Sequence, residues 1–109
     1  MAQHEFGIMK TTPEEGVRYD RYPLEADDRV PVDDDDILPF MKQFQSIRCY
    51  WHTLDRAELG LAYHGVTLIP PESHGAVMEL IWRNPHLSEL LALFAEAERT
   101  KKYVIHFGI

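Results

Sequence analysis

The chain has 109 residues, is 45% apolar and 27% charged, and carries a formal net charge of -7 with one cysteine. That length gives a single domain, 1–109, with enough buried surface to fold without staples; the lone Cys49 excludes an internal disulfide and fits a reducing, cytoplasmic setting. No apolar run approaches the roughly 20 residues that span a bilayer, and the acidic balance with scattered basic residues argues against nucleic acid and anionic membrane as partners.

In chain order, Phe6 and Ile8 alternate within His4–Met9 and predict a short strand that Gly7 weakens. Residues 10–32 lose all periodicity, are punctuated by Pro13, Pro23 and Pro31, and predict a long acidic loop. Tyr19, Tyr22, Leu24, Val30 and Val32 read as anchors that lay this segment across the domain. Ile37, Phe40, Met41 and Phe44 recur at helical spacing, so a helix is expected from about Asp34 to Phe44, capped by Asp33 or Asp34, with Pro39 near its first turn. Ser46–His52 and Gly60–Ile69 read as two strands of a hairpin turning near Arg56-Ala57, which sets His52 opposite Tyr63 or His64. A one-residue slip moves His64 to the other face.

Pro70-Pro71 opens a helix with Val77, Leu80 and Ile81 on its apolar face. Asn84-Pro85 caps the next one, striped by Leu87, Leu90, Leu91, Phe94 and Ala97. Tyr103–Phe107 reads as a final strand inside the sheet. Strands and helices do not alternate regularly, so the fold class is α+β: a three- to four-stranded, mainly antiparallel sheet with about three helices on one face. The other face carries Arg48, Tyr50, His52 and Tyr63. Trp51 and Trp82 read as core.

Charge is the strongest functional signal. The stretch from Asp20 to Asp36 supplies -6 of the -7. Such a block steers a cationic protein toward it. The expected docking residues are Asp27, Asp28, Asp33, Asp34, Asp35 and Asp36, with Tyr19 and Tyr22 as aromatic contacts, and the expected function is a non-enzymatic module that binds a basic protein. The alternative is a small enzyme or ligand-binding protein using Arg48, Tyr50, His52 and His64, with histidine as acid or base near neutral pH. Six histidines invite a metal reading, but His74 and His106 have no ligand spacing relative to His52 and His64, so neither metal nor cofactor is expected. Four consecutive aspartates lack the ligand alternation and central glycine of a calcium loop. Cys49 with His52 or His64 as base and Asp55 as orienter would make a nucleophile, yet Cys49 alternates with Ile47 and Trp51 on the apolar side and reads as packing. A homodimer through a sheet edge or the apolar helices is the third option.

Four segments carry a resemblance: Glu5-Phe6-Gly7-Ile8-Met9, Cys49-Tyr50-Trp51-His52-Thr53-Leu54-Asp55-Arg56, Gly60 to Gly65 continuing through Leu68-Ile69-Pro70-Pro71, and Val104-Ile105-His106-Phe107-Gly108-Ile109. They resemble small uncharacterised bacterial proteins of about this length. That likeness spans most of the chain and implies no particular activity. In general character the chain is similar to immunity proteins of bacterial toxin systems, being small, acidic and free of a catalytic motif. This second likeness implies an inhibitor that docks on a basic toxin surface.

Overall fold

A computed structural model describes residues 2–20 and 28–109. Among these residues six strands form one antiparallel sheet: β1 (Gln3–Ile8), β2 (Val30–Asp33), β3 (Arg48–Trp51), β4 (Ala57–Leu59), β5 (Val66–Ile69) and β6 (Val104–Phe107), in the order β2-β1-β6-β5-β3-β4. Three helical regions among the described residues accompany it. The first runs from α1 (Asp34–Ile37) through a 3-10 turn (Leu38–Phe40) to α2 (Met41–Phe44); the others are α3 (His74–Ile81) and α4 (Ser88–Arg99). The α+β class with helices on one face therefore holds, while the expected strand number is corrected from three or four to six.

Both additional strands are short edges. Val30–Asp33 emerges from the stretch read as loop because the alternation of Val30 and Val32 is only four residues long and holds Pro31, which argues against a strand. It pairs with β1 through Gln3↔Asp33 and Phe6↔Val30. Ala57–Leu59 lies within what reads as the hairpin turn. The chain turns at residues 52–56 and returns at once, pairing Arg48↔Leu59 and Tyr50↔Ala57. The expected partner of β3, the second apolar run, pairs instead on β3's opposite side, through Tyr50↔Leu68 and Trp51↔Thr67. So β3 is an interior strand rather than one arm of a simple hairpin.

Period-two alternation sends the two faces of the sheet to different environments. Phe6, Val32, Cys49, Ile69 and Val104 meet Ile37, Phe44, Val77, Ile81, Leu90, Phe94 and Ala97 from the helices in the main core. The reverse face is not bare. Met9, Val66, Leu68 and Ile105 form a smaller cluster there, covered by Tyr19, Tyr50, Leu54, Tyr103 and Phe107.

The helical boundaries follow local chemistry. Pro39 has no N–H to give an α-helical bond, and the chain tightens into a 3-10 turn around it. The Asn84 side chain accepts the His86 N–H at 2.9 Å and opens the last helical region. At the end of α4, Lys101 takes a positive φ while Lys102 N–H reaches back to Ala97 at 2.9 Å, a left-handed helix stop. Trp82 departs from its expected core position. It sits just past α3, off the Val77–Ile81 stripe, and is 53% exposed with the Arg83 guanidinium 4.8 Å from its ring.

Phe94 is fully buried and packs edge-on against Phe6 and His74. Phe94→Ala is expected to lower the unfolding free energy by about 3–5 kcal/mol, measured by urea denaturation, because a cavity is left between α4 and the sheet.

Candidate functional site

Two polar constellations stand out, one buried and one open, and they share a wall. The buried one starts at β1. His4, His106 and Thr67 are fully buried on the helix-facing side of three adjacent strands. His4 Nδ1 lies 2.9 Å from His106 Nε2, and His106 Nδ1 lies 3.2 Å from Thr67 Oγ1. At the other end His4 Nε2 meets Asp34 Oδ1 at 3.0 Å, and the Tyr63 hydroxyl donates to Asp34 Oδ2 at 2.7 Å. The Ala62 N–H donates to Thr67 Oγ1 at 2.8 Å.

These partners fix the direction of every proton when both rings are neutral. A carboxylate only accepts, so His4 carries its proton on Nε2 and accepts at Nδ1. His106 must then donate from Nε2 and accept at Nδ1, so the Thr67 hydroxyl donates to it. Hydrogen bonds from His4 and Tyr63 hold the Asp34 carboxyl below the usual range, and the same carboxylate pushes the Tyr63 phenol upward. Burial, with His4 adding to it, pushes His106 down to about 3. The set is linear rather than convergent. No group of three or more His, Cys, Asp or Glu side chains among the described residues is placed to hold a metal ion.

The open constellation is a cleft of about 370 Å³ lined by Trp51, His52, Arg56 and the run Ala62–Gly65. Here His52 has φ +65, a left-handed backbone that costs a β-carbon residue energy and that no helix end explains. Three bonds hold it there: its N–H to Val66 O at 3.0 Å, its C=O from Tyr19 N–H at 2.7 Å, and its Nδ1 to Asp20 Oδ1 at 2.5 Å. Hydrogen bonds from Arg18 and His52 hold the Asp20 carboxyl below its ordinary value. Asp20 is thus an acceptor, and neutral His52 carries its proton on Nδ1.

His52 Nε2 is then the basic nitrogen. It has no hydrogen-bond partner among the described residues, and the side chain is 24% exposed. Gly65 makes room for it, since a β-carbon there would stand 2.6 Å from Nε2. Trp51 donates its indole N–H to Gly60 O and carries the Arg56 guanidinium 5.2 Å over its ring. His64 packs edge-on against Tyr63 at 4.8 Å, with its Nδ1 3.2 Å from Ile109 O. Tyr63 is the shared wall: its ring faces the cleft and its hydroxyl ends the buried chain.

The expected ligand face is divided by this geometry. His52 and His64 share the cleft, whereas Arg48 lines a separate groove with Gln45 and Leu59, and Tyr50 packs on the smaller core cluster. Cys49 faces the main core, and burial pushes its thiol up to about 12, so it is no nucleophile.

The acidic block is also dispersed. Asp20 holds Arg18 and His52, Asp28 lies 3.8 Å from Lys10, Asp33 accepts from the Gln3 amide at 3.0 Å, and Asp34 turns inward. Asp35 and Asp36 have no ion pair among the described residues. Tyr19 is half-buried, and its hydroxyl accepts from Glu14 N–H at 2.8 Å. Tyr22 and Asp27 lie outside the described residues.

Sequence reasoning missed Asp20 as the partner of His52, Gly65 as its clearance, and the His4–His106 pair. The pair had a signal: His4 shares the inward alternation of Phe6, and His106 sits between Ile105 and Phe107 in an apolar strand.

No family model, curated protein or solved structure matches this chain. Among the described residues no helix is long and apolar enough to cross a membrane.

His106 gives a pH dependence with a definite sign. Its folded pKa is about 3 and its unfolded pKa is that of a free histidine, so between these values only the unfolded chain takes up the proton. Stability is complete above about pH 6.5 and falls as pH drops, by about 1.4 kcal/mol per unit from this one group. His4, Asp34 and Tyr63 are the titratable groups that face it directly or along the chain. Urea midpoints at pH 7.5, 5.5 and 4.5 are expected to decline, and His106→Gln is expected to flatten the decline by one proton's worth.

Proposed function

We propose that this protein binds a small ligand in the His52 cleft and that His52 Nε2 serves there as an acid–base group. The observation that carries this reading is the strained His52, oriented by Asp20, with its Nε2, unpartnered among the described residues, lying over Gly65. Strain of this kind persists only where surrounding bonds over-determine it, and it concentrates at sites that work. The pairing of a carboxylate with one ring nitrogen while the other faces a cleft is how a histidine is set up to exchange a proton with a bound molecule. Trp51, Tyr63 and His64 offer flat walls and Arg56 a cationic edge, which suits a small planar anion.

Two measurements test this. Long-range nitrogen NMR should find neutral His52 protonated on Nδ1. Benzoate, used as a probe, should shift the Trp51 indole N–H and the His52 ring, and should lose most of its effect in Gly65→Ala, where the added methyl group collides with Nε2 and pushes the ring out of place. A proton on Nε2, or benzoate shifts that are absent or unchanged by Gly65→Ala, would remove the proposal.

A second reading keeps the acidic surface as a docking site for a basic protein, in the manner of an immunity-like inhibitor. It is favoured by one observation: Asp33, Asp34 and Asp35 line one shallow depression beside Ala2, and Asp35 and Asp36 are unpaired among the described residues. A lysine-rich probe peptide should then associate faster at low salt than at high salt. That difference should be lost when Asp33, Asp35 and Asp36 are changed to asparagine; an unchanged on-rate rejects this reading.

A further inference from the structure

The two edges of the sheet are not equivalent. On β2 the edge carries Pro31, which has no N–H to offer a further strand. On β4 the phase of the ladder is set by two bonds to its flanks, Gly60 N–H to Ile47 O at 2.9 Å and Trp51 N–H to Arg56 O at 3.0 Å. In an antiparallel pair the bonded positions alternate. Glu58 therefore exchanges bonds with Cys49, and the N–H and C=O groups of Ala57 and Leu59 turn outward, away from β3. Neither proline nor lysine blunts this edge.

Beside it lies an open groove of about 580 Å³, lined by Gln45, Arg48, Ala57, Glu58 and Leu59. Leu59 is 58% exposed. The charges here are unequal. Glu58 is committed to Arg56 at 3.2 Å, whereas the Arg48 side chain has no hydrogen bond or ion pair among the described residues. Alternation puts Arg48 on the same face as Ala57 and Leu59, so the groove has an apolar floor and a cation that no described residue compensates.

We propose that the β4 edge accepts an extended segment of a partner protein as a seventh strand, with an apolar residue against Leu59 and an acidic residue two positions away reaching Arg48. Ala57 and Leu59 supply four backbone groups to the added ladder, which gives affinity, and Arg48 supplies the preference for a carboxylate. This surface is separate from the His52 cleft and does not rest on the reading of that cleft.

The test uses the whole protein, nitrogen-15 labelled, titrated with the peptide Thr-Val-Thr-Glu-Thr and with its Thr-Val-Thr-Lys-Thr counterpart. The glutamate peptide should shift the Ala57 and Leu59 amides progressively. The lysine peptide should bind about threefold more weakly, the ratio expected of an exposed ion pair, and Arg48→Gln should abolish that difference. Ala57→Pro removes an outward N–H without touching a bond to β3, so it should erase the peptide shifts while amides elsewhere in the sheet keep their positions. Unmoved Ala57 and Leu59 amides, equal binding of the two peptides to the unaltered protein, or full binding by Ala57→Pro would overturn the proposal. So would shifts of the same amides that grow with protein concentration in the absence of peptide, because a second copy would then be the occupant.

Discussion

The placement of two imidazoles, His4 and His106, between the sheet and its helices constrains everything else. Burying a polar side chain costs free energy unless each donor and acceptor finds a partner. Here the partners come from different parts of the chain: Thr67 on β5, His106 on β6, His4 on β1, Asp34 at the start of α1 and Tyr63 in the loop before β5. A one-residue slip of any of these strands would turn its polar member to the opposite face and leave the others unpaired. The apolar residues favour collapse of the sheet onto the helices in general. The polar chain selects the one register in which every proton is used.

The same bonds prepare the cleft. Ala62 and Tyr63 form part of its wall, and both are tied back to the buried chain, Ala62 through its N–H and Tyr63 through its hydroxyl. The two residues after β6 add a second brace, with Gly108 N–H on Gly65 O and Ile109 N–H on Tyr63 O. A β-carbon at position 108 would fall 2.2 Å from Tyr63 O, so only glycine permits that close approach. Across the cleft, His52 is held by bonds from the acidic loop and from β5. One wall is thus rigid through burial, and the opposite one through over-determination of a costly backbone.

Much of this architecture can be read from residues alone, and the boundary is physical. The main strands and the stripes of α3 and α4 follow from apolar periodicity, and the stop at Asn84-Pro85 follows from capping chemistry. Short edge strands do not announce themselves: Val30–Asp33 and Ala57–Leu59 are held by pairing with β1 and β3, not by their own pattern. His52 and His64 could be brought together by turn geometry, but the role of Asp20 depends on where a long irregular segment lands, which no local rule supplies. Counting Asp20 through Asp36 as one charge block had the same weakness. Adjacent carboxylates in sequence take different partners in space, and Asp34 is spent on holding the interior.

Cys49 lies at zero exposure under the helices, the sole sulfhydryl in the chain, with burial pushing it far toward the protonated form. An alkylating reagent can reach it only when the layers come apart. Its rate of capture therefore acts as an internal clock for opening of the native state, readable by mass in unpurified mixtures and without any added label.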